Sequence, residues 1–423
     1  MESEIAFPRH WLSIRSSAFL RVVIMLCLIA PLALFTPRGA AIASPAVAAG
    51  LRNSPAGMVP GPVVHEAGPG ADGPHALAHS STDSCVIGRA RNLGPGGAPD
   101  WSPSGDLLVY HAWDASGVYQ LHTMRPDGSG DICLTCAAQP GAPRVDRHKV
   151  NPVWHPSGRF IAVQGEMDTN PLTLMNSNQM VSELMVNGLW TNLYVTTPDG
   201  QQWYRLTDYS NAQTDGAAHA HFSADGTKLV WSRLVEPASE SAPWGQWKML
   251  IADFVTANGV PRLEDIRDIT PAGGVFVEAN GFSPDGTKIL FTSDMGNTNP
   301  WGPDIWTLEL ATGKLVNLTK SGFWDEHAQY APSGKRIVYM SSQPYPFDLF
   351  KTELMLMAPD GTGKRQLTHF NVPGFKESTA ETSMPTRANW NAKGTALAVT
   401  QQLTGEYPAT RMWTLNFAGP CGG

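Results

Sequence analysis

The sequence predicts an all-β protein, a six-bladed β-propeller whose last blade is closed by the N-terminal strand. Three observations carry this prediction. One pattern, an aromatic, a Pro- or Ala-led turn ending in Gly, then alternating apolar residues, is written six times. It reads DWSPSGDLLVYHA near residue 101, VWHPSGRFIAVQG near 154, HFSADGTKLVWSR near 222, GFSPDGTKILFTS near 282, QYAPSGKRIVYMS near 330 and NWNAKGTALAVTQ near 390. Next, 41 Gly and 34 Pro among 423 residues, only 16% of them charged, suit many short strands joined by turns. Finally, the sixth repeat stops short, while a strand-like segment outside the repeats begins at Cys85.

From the N-terminus, Arg9, Arg15 and Arg21 precede the apolar run VVIMLCLIAPLALF (22–35), and Ala41-Ile42-Ala43 follows it. The run is short for a bilayer and is interrupted by Pro31. Residues 1–43 therefore read as a secretory signal peptide, with an uncleaved membrane anchor as the alternative. Residues 44–83 are rich in Ala, Gly, Pro and His without apolar periodicity and read as a disordered linker. The propeller takes up 84–423. The formal charge is −7 and the first 43 residues are net basic, so the remainder is more acidic still. That balance argues against nucleic acid or an anionic membrane surface as partner. Setting aside Cys27 leaves Cys85, Cys133, Cys136 and Cys421, an even number suited to an oxidising compartment. The expectation is an exported monomer, periplasmic or extracellular, with no membrane span in the mature chain.

Within each repeat the first strand ends on the aromatic: Trp101, Trp154, Phe222, Phe282, Tyr330 or Trp390. Gly then supplies the positive φ of a tight turn. A second strand alternates apolar residues. A third follows a variable loop (VYQLHTM, TNLYVTT, WKMLIAD, DIWTLEL, ELMLMAP, RMWTLNF), and a fourth closes on a Leu/Ile–Thr pair such as Leu134-Thr135 or Leu367-Thr368. Four strands per repeat make a propeller blade. The sixth repeat lacks its fourth strand, and CVIGRARNLGPGG, from Cys85, has the form of one. Ring closure by that strand leaves only short, protected edges. It also places Cys85 beside Cys421, which predicts a disulfide. The remaining pair, Cys133 and Cys136 of CLTC, has no βαβ setting for redox chemistry. Ala137 stands where haem attachment needs His, and the second Cys pair of a zinc site is missing. A local disulfide is the preferred reading.

The FSPDGTKILFTS and Leu–Thr signatures resemble the TolB-type periplasmic β-propeller repeat, related loosely to WD-repeat propellers, over residues 85–418. The resemblance implies the propeller fold alone. Residues 44–83 are no counterpart of the α/β domain carried by the best-known member, and no Gly-x-Ser-x-Gly elbow marks the peptidase domain that other relatives append.

A propeller's innermost strands line its channel. Positions one and three before each aromatic, expected to share one side of the strand, are Asp100 and Ala98, Val153 and Asn151, His221 and His219, Gly281 and Ala279, Gln329 and His327, Asn389 and Arg387. Glu278 and Glu326 lie one residue further out. Such a ring is polar either because the channel is wet or because it holds a ligand or metal. Asp100, Asn151, Glu278, Glu326 and Asn389 are the candidate ligand-binding groups. His219, His221, His327 and Gln329 are candidate ligands of a divalent metal ion, since imidazoles completed by Gln or Glu suit an octahedral shell. A His-x-His pair with another His and a Gln resembles oligogalacturonate lyase. That resemblance implies metal-assisted proton abstraction beside a carboxylate, with Arg387 as the anion-binding or basic group, although the order of His and Gln differs here.

Long loops between second and third strands bring Trp190, Trp244, Trp247, Trp301, Tyr345, Phe347 and Phe350 towards the same face, joined by Trp324. Aromatics around a polar pit suit stacking on a sugar or gripping a peptide; packing on one another as a local mini-core is the other reading. The functional expectation is a binding module for a protein or an oligosaccharide, Trp301 and Trp324 among its contacts. A metal-dependent polysaccharide lyase is the alternative.

Overall fold

Strands pair within their own repeat, except that the N-terminal strand joins the sixth, giving six four-stranded antiparallel sheets. This computed structural model describes residues 85–168, 187–210, 215–239, 242–299, 301–346, 348, 350–404, 409–419, 421 and 422. The expected signal peptide (1–43) and linker (44–83) lie outside the described residues, as does Phe347. From the channel outward, blade one is Gly97–Trp101, Leu108–Trp113, Tyr119–Met124 and Ile132–Cys133. The other inner strands are Lys149–Trp154, Gly216–Phe222, Val277–Phe282, Asp325–Tyr330 and Ser383–Trp390. Blade six continues with Ala396–Leu403 and Thr410–Phe417, and its outer strand is Ile87–Pro95.

The repeated letters have local physical reasons. At the inner corner of blade four, Gly286 adopts φ 71° and donates its N–H to the Ser283 carbonyl at 2.8 Å. Asp285 accepts from the Thr287 N–H at 3.0 Å, and the Ser283 hydroxyl takes the Lys288 N–H at 3.0 Å. The Leu/Ile–Thr pair lies just beyond the fourth strand rather than within it, because its Thr replaces a backbone partner with a side chain. Thr135, Thr207, Thr270, Thr319 and Thr368 each accept, at 2.9 Å, an N–H from the first half of the third strand. The ladder thus ends without an orphaned donor.

Alternation along each second strand fills both faces of each blade. Leu108 and Tyr110 pack against blade six, whereas Val109 between them packs against blade two. Leu290 faces blade five while Ile289 and Phe291 face blade three. At least one apolar cluster therefore fills each of the six interblade spaces, including that between blades six and one. Each fully buried side chain of this kind contributes roughly 1.5–3 kcal/mol.

Closure follows the expected route. Ile87 pairs with Phe417 and Asn92 with Trp413. The Cys85–Cys421 disulfide joins Cα atoms 4.5 Å apart across 336 residues of chain. Cys133 and Cys136 form the second disulfide.

Candidate functional site

The inner strands do not run as simple pleats. Each carries a register shift just before its aromatic. Ala98, Asn151, His219 and His327 sit there with φ of 49°, 50°, 53° and 52°. Asn and His tolerate this left-handed region better than most residues, and bulges of this kind re-aim side chains. Preceding blades hold the bulges in place. The amides of Ala98, Asn151, His219 and Ala279 donate to Thr400 Oγ1, His111 Nδ1, Gln164 Oε1 and Ser232 Oγ, at 2.8–3.2 Å.

The bulge separates the polar positions into two layers. The residues one before the aromatic form the deeper layer, where three of them stitch blade to blade. Asp100 Oδ2 accepts the Trp154 N–H at 2.7 Å. Gln329 Oε1 accepts the Trp390 N–H at 2.8 Å while its Nε2 donates to Asn389 Oδ1 at 3.2 Å. Asn389 Nδ2 donates onward to the Pro99 carbonyl at 2.9 Å. His221 leans on the bare backbone of Gly281, where an added Cβ would stand 3.4 Å from its ring. Gln329, Asn389 and His221 join His219, His327, Glu278 and Arg387 around a space of ≈ 10 Å³, about one water in size.

Above it, at the channel mouth, lies a cavity of ≈ 260 Å³ whose floor includes His219, Glu278, Glu326, His327 and Arg387. Glu278 Oε2 is 3.4 Å from His219 Nε2, and its Oε1 is 3.5 Å from His327 Nε2. Asn280 Nδ2 also donates to Glu278 Oε1 at 3.0 Å. Arg387 Nη2 donates to His219 Nδ1, and His327 Nδ1 donates to the Thr386 carbonyl at 3.2 Å. Burial dominates the protonation of this floor. It lifts Glu278 well above the usual carboxylate range, with repulsion from Glu326 adding to it, and it lifts Glu326 to about 7. Asp100, in the deeper layer, also rises to about 7 through burial. Burial, with Arg387 close by, holds His111, His221 and His327 down at about 3 and His219 well below its ordinary value. The imidazoles are neutral, so Arg387 is the fixed cation of the site.

The walls are apolar. Trp244, Trp247, Phe276 and Trp324 line them, with Leu189 and Leu234. Trp244 stacks on Phe276 with ring centroids 5.6 Å apart and meets Trp301 at 5.4 Å and Trp324 at 5.7 Å. The two readings of the loop aromatics are therefore compatible: the rings brace one another and still face the cavity. Trp324 is tied to the floor by its indole N–H, 2.9 Å from Glu326 Oε2. Trp301 braces Trp244 without lining the cavity, whereas Asn151 does line it. Trp190 is buried elsewhere in the packing.

Ligand atoms of His219, Glu278 and His327 lie within 4.8 Å of one another, a spacing that can hold a metal ion. Sequence reasoning placed both imidazoles in such a set but not Glu278, whose position before Ala279 gives no periodic signal. Fit to a metal is partial. His327 presents Nε2 free of its proton, because Nδ1–H goes to Thr386. His219, accepting at Nδ1 from Arg387, carries its proton on Nε2, so ligation there requires Arg387 to withdraw. His111, a further cavity residue on the second strand of blade one, was missed because nothing in its surroundings distinguishes it.

No family model matches the sequence, and no curated protein matches it. Solved structures do resemble it. A protein assigned as TolB in Agrobacterium tumefaciens has 18% identity and a TM-score of 0.44, over 65% of this chain and 81% of that one. TolB from Acinetobacter baumannii has 16% identity and a TM-score of 0.43, over 76% of this chain and 63% of that one. Oligogalacturonate lyase from Vibrio parahaemolyticus has 11% identity and a TM-score of 0.43, over 78% and 92%. Six sheets in a closed ring, built on the recurring turn and Leu–Thr pair, decide the architecture. The fold is a six-bladed β-propeller. Among the described residues no helix is long and apolar enough to cross a membrane.

Proposed function

We propose that this TolB-like propeller is an exported binding module whose channel mouth receives a protein segment or an oligosaccharide. The observation that carries the reading is the ≈ 260 Å³ cavity, with aromatic walls over a floor of one half-buried guanidinium and two buried carboxyl groups. Apolar walls with a few convergent polar groups are the usual form of a ligand site. Trp244 and Trp324 offer flat faces, and Arg387 and Glu326 offer a donor and an acceptor at their base. Two disulfides support an oxidising compartment, periplasmic or extracellular. The test is to probe panels of immobilised oligosaccharides and peptides with the purified chain. At least one ligand should bind, and Trp324→Ala or Arg387→Met should weaken it at least tenfold. Binding of neither class, or binding untouched by both substitutions, refutes the reading.

One observation favours a second reading, a metal-dependent polysaccharide lyase: the His219, Glu278 and His327 cluster. A metal held there would polarise a substrate carboxylate, which Arg387 could also bind. Release of unsaturated sugar from polygalacturonate on adding Mn²⁺, lost in His327→Ala, is what that reading requires.

A further inference from the structure

The Cys133–Cys136 bridge at the outer end of blade one has a neighbour the sequence did not reveal. His122 faces Cys133 across the paired strands, and one of its ring nitrogens lies within 4.8 Å of both sulfurs. The imidazole is already oriented. Its Nδ1 is 3.0 Å from Asp131 Oδ1, which also accepts the Tyr110 hydroxyl at 2.6 Å. Its Nε2 is buried and has no hydrogen-bond partner among the described residues. A carboxylate that takes Nδ1–H leaves the lone pair on Nε2, which is how metal-binding histidines are commonly held. A buried nitrogen with nothing to bond is costly and serves no purpose while the disulfide is intact.

We propose that this corner is a thiol-gated metal site: with the Cys133–Cys136 disulfide reduced, both thiolates and His122 bind a borderline or soft cation, Zn²⁺ being the probe. The fourth position is open to water. Reduction breaks the S–S bond and takes two electrons and two protons from a dithiol, which is oxidised to its own disulfide. Metal binding then releases both thiol protons. Tetrahedral Zn²⁺ needs its two sulfurs about 3.7 Å apart and Zn–N of about 2.0–2.1 Å. The side chains reach this once the sulfur bond opens, because all three ligand atoms already lie within 4.8 Å of one another. Access is available: Cys136 is exposed and Cys133 and His122 are half-buried, whereas Cys85 and Cys421 are buried.

The experiment is a Zn²⁺ titration of the purified chain against a competing chromophoric chelator, before and after reduction by a phosphine, itself oxidised to the phosphine oxide. Reduction should add one Zn²⁺ per chain, and Co²⁺ in its place should show thiolate-to-metal charge-transfer absorption. Any metal held at His219, Glu278 and His327 is present in both states and cancels in the difference. Cys133→Ser and Cys136→Ser should abolish the added equivalent, and Asp131→Asn should weaken it 10–100-fold. His122→Ala keeps the oxidised bridge and hence the fold, and should weaken the added equivalent at least tenfold. The proposal is overturned if the reduced chain binds no additional Zn²⁺. It is overturned equally if the added equivalent survives Cys133→Ser, or if its affinity is unchanged in His122→Ala.

Discussion

Two adjoining polar layers at the centre of this ring are drawn from the same inner strands, and they behave oppositely. In the deeper layer Asp100, Gln329 and Asn389 spend their hydrogen bonds on neighbouring blades. In the upper layer Glu278, Glu326, His219, His327 and Arg387 face one another across an open cavity. The first is joinery, and the second lines the cavity. What divides them is one bulged residue per strand, so a polar residue near a channel is not evidence of a site until its partner atoms are known.

The largest expected effect on stability belongs to the deeper layer. Gln329→Ala strands the Trp390 N–H and Asn389 Oδ1, and should cost about 1–3 kcal/mol in denaturant unfolding. It should leave ligand binding at the mouth unchanged. Asp100→Ala should behave alike, while Asp100→Asn, which keeps an acceptor for Trp154, should recover most of the loss.

A pH-dependent effect should mark the upper layer. Burial raises Glu326 from its ordinary 4.5 to about 7, so the folded chain holds a proton that the unfolded chain has released. The stability this group supports is complete below about pH 4.5 and is lost as pH rises towards 7. Glu326→Gln should therefore be more stable than the natural chain at pH 8, by on the order of 1–3 kcal/mol, and nearly equal to it at pH 4.5. Buried neutral histidines destabilise the fold towards acid in both proteins and cancel. Thermal unfolding of the pair at the two pH values checks this, and a gain at pH 4.5 instead would reverse the assignment.

Smallest of all should be the change in stability on His327→Ala, within about 1 kcal/mol, accompanied by loss of any divalent metal bound at the mouth. Should His327→Ala destabilise more than Gln329→Ala, the division into two layers fails.

The ring itself was legible in the sequence because its corners recur. Six turns, the Leu–Thr pairs and the displaced outer strand each repeat a local physical need, and repetition separates signal from noise. Both disulfides followed from closure and from elimination. The site was legible only in part. His219, His327 and Arg387 stood out as ionisable residues at channel positions, but period-two alternation forbids adjacent Glu326 and His327 from lining one cavity. The left-handed φ of 52° at His327 allows it, and no residue pattern announces that backbone. Likewise, His122 acquires its neighbours only when the strands pair, eleven residues and one hairpin away from Cys133.

The outer rim carries a further consequence. Most outer strands are brief, as short as Ile132–Cys133 and Arg365–Gln366, and offer a second molecule almost nothing to zipper onto. Two depart from this with nine residues each, Ile87–Pro95 of blade six, which is the strand that closes the ring, and Val260–Asp268 of blade three. That edge is studded with Arg262, Glu264, Asp265, Arg267 and Asp268, and it is twisted by a left-handed Asp265 at φ 54°. Mixed charge and an interrupted backbone are what keep an exposed β-edge from seeding aggregates, so the long rim segment of blade three is equipped to stay solitary.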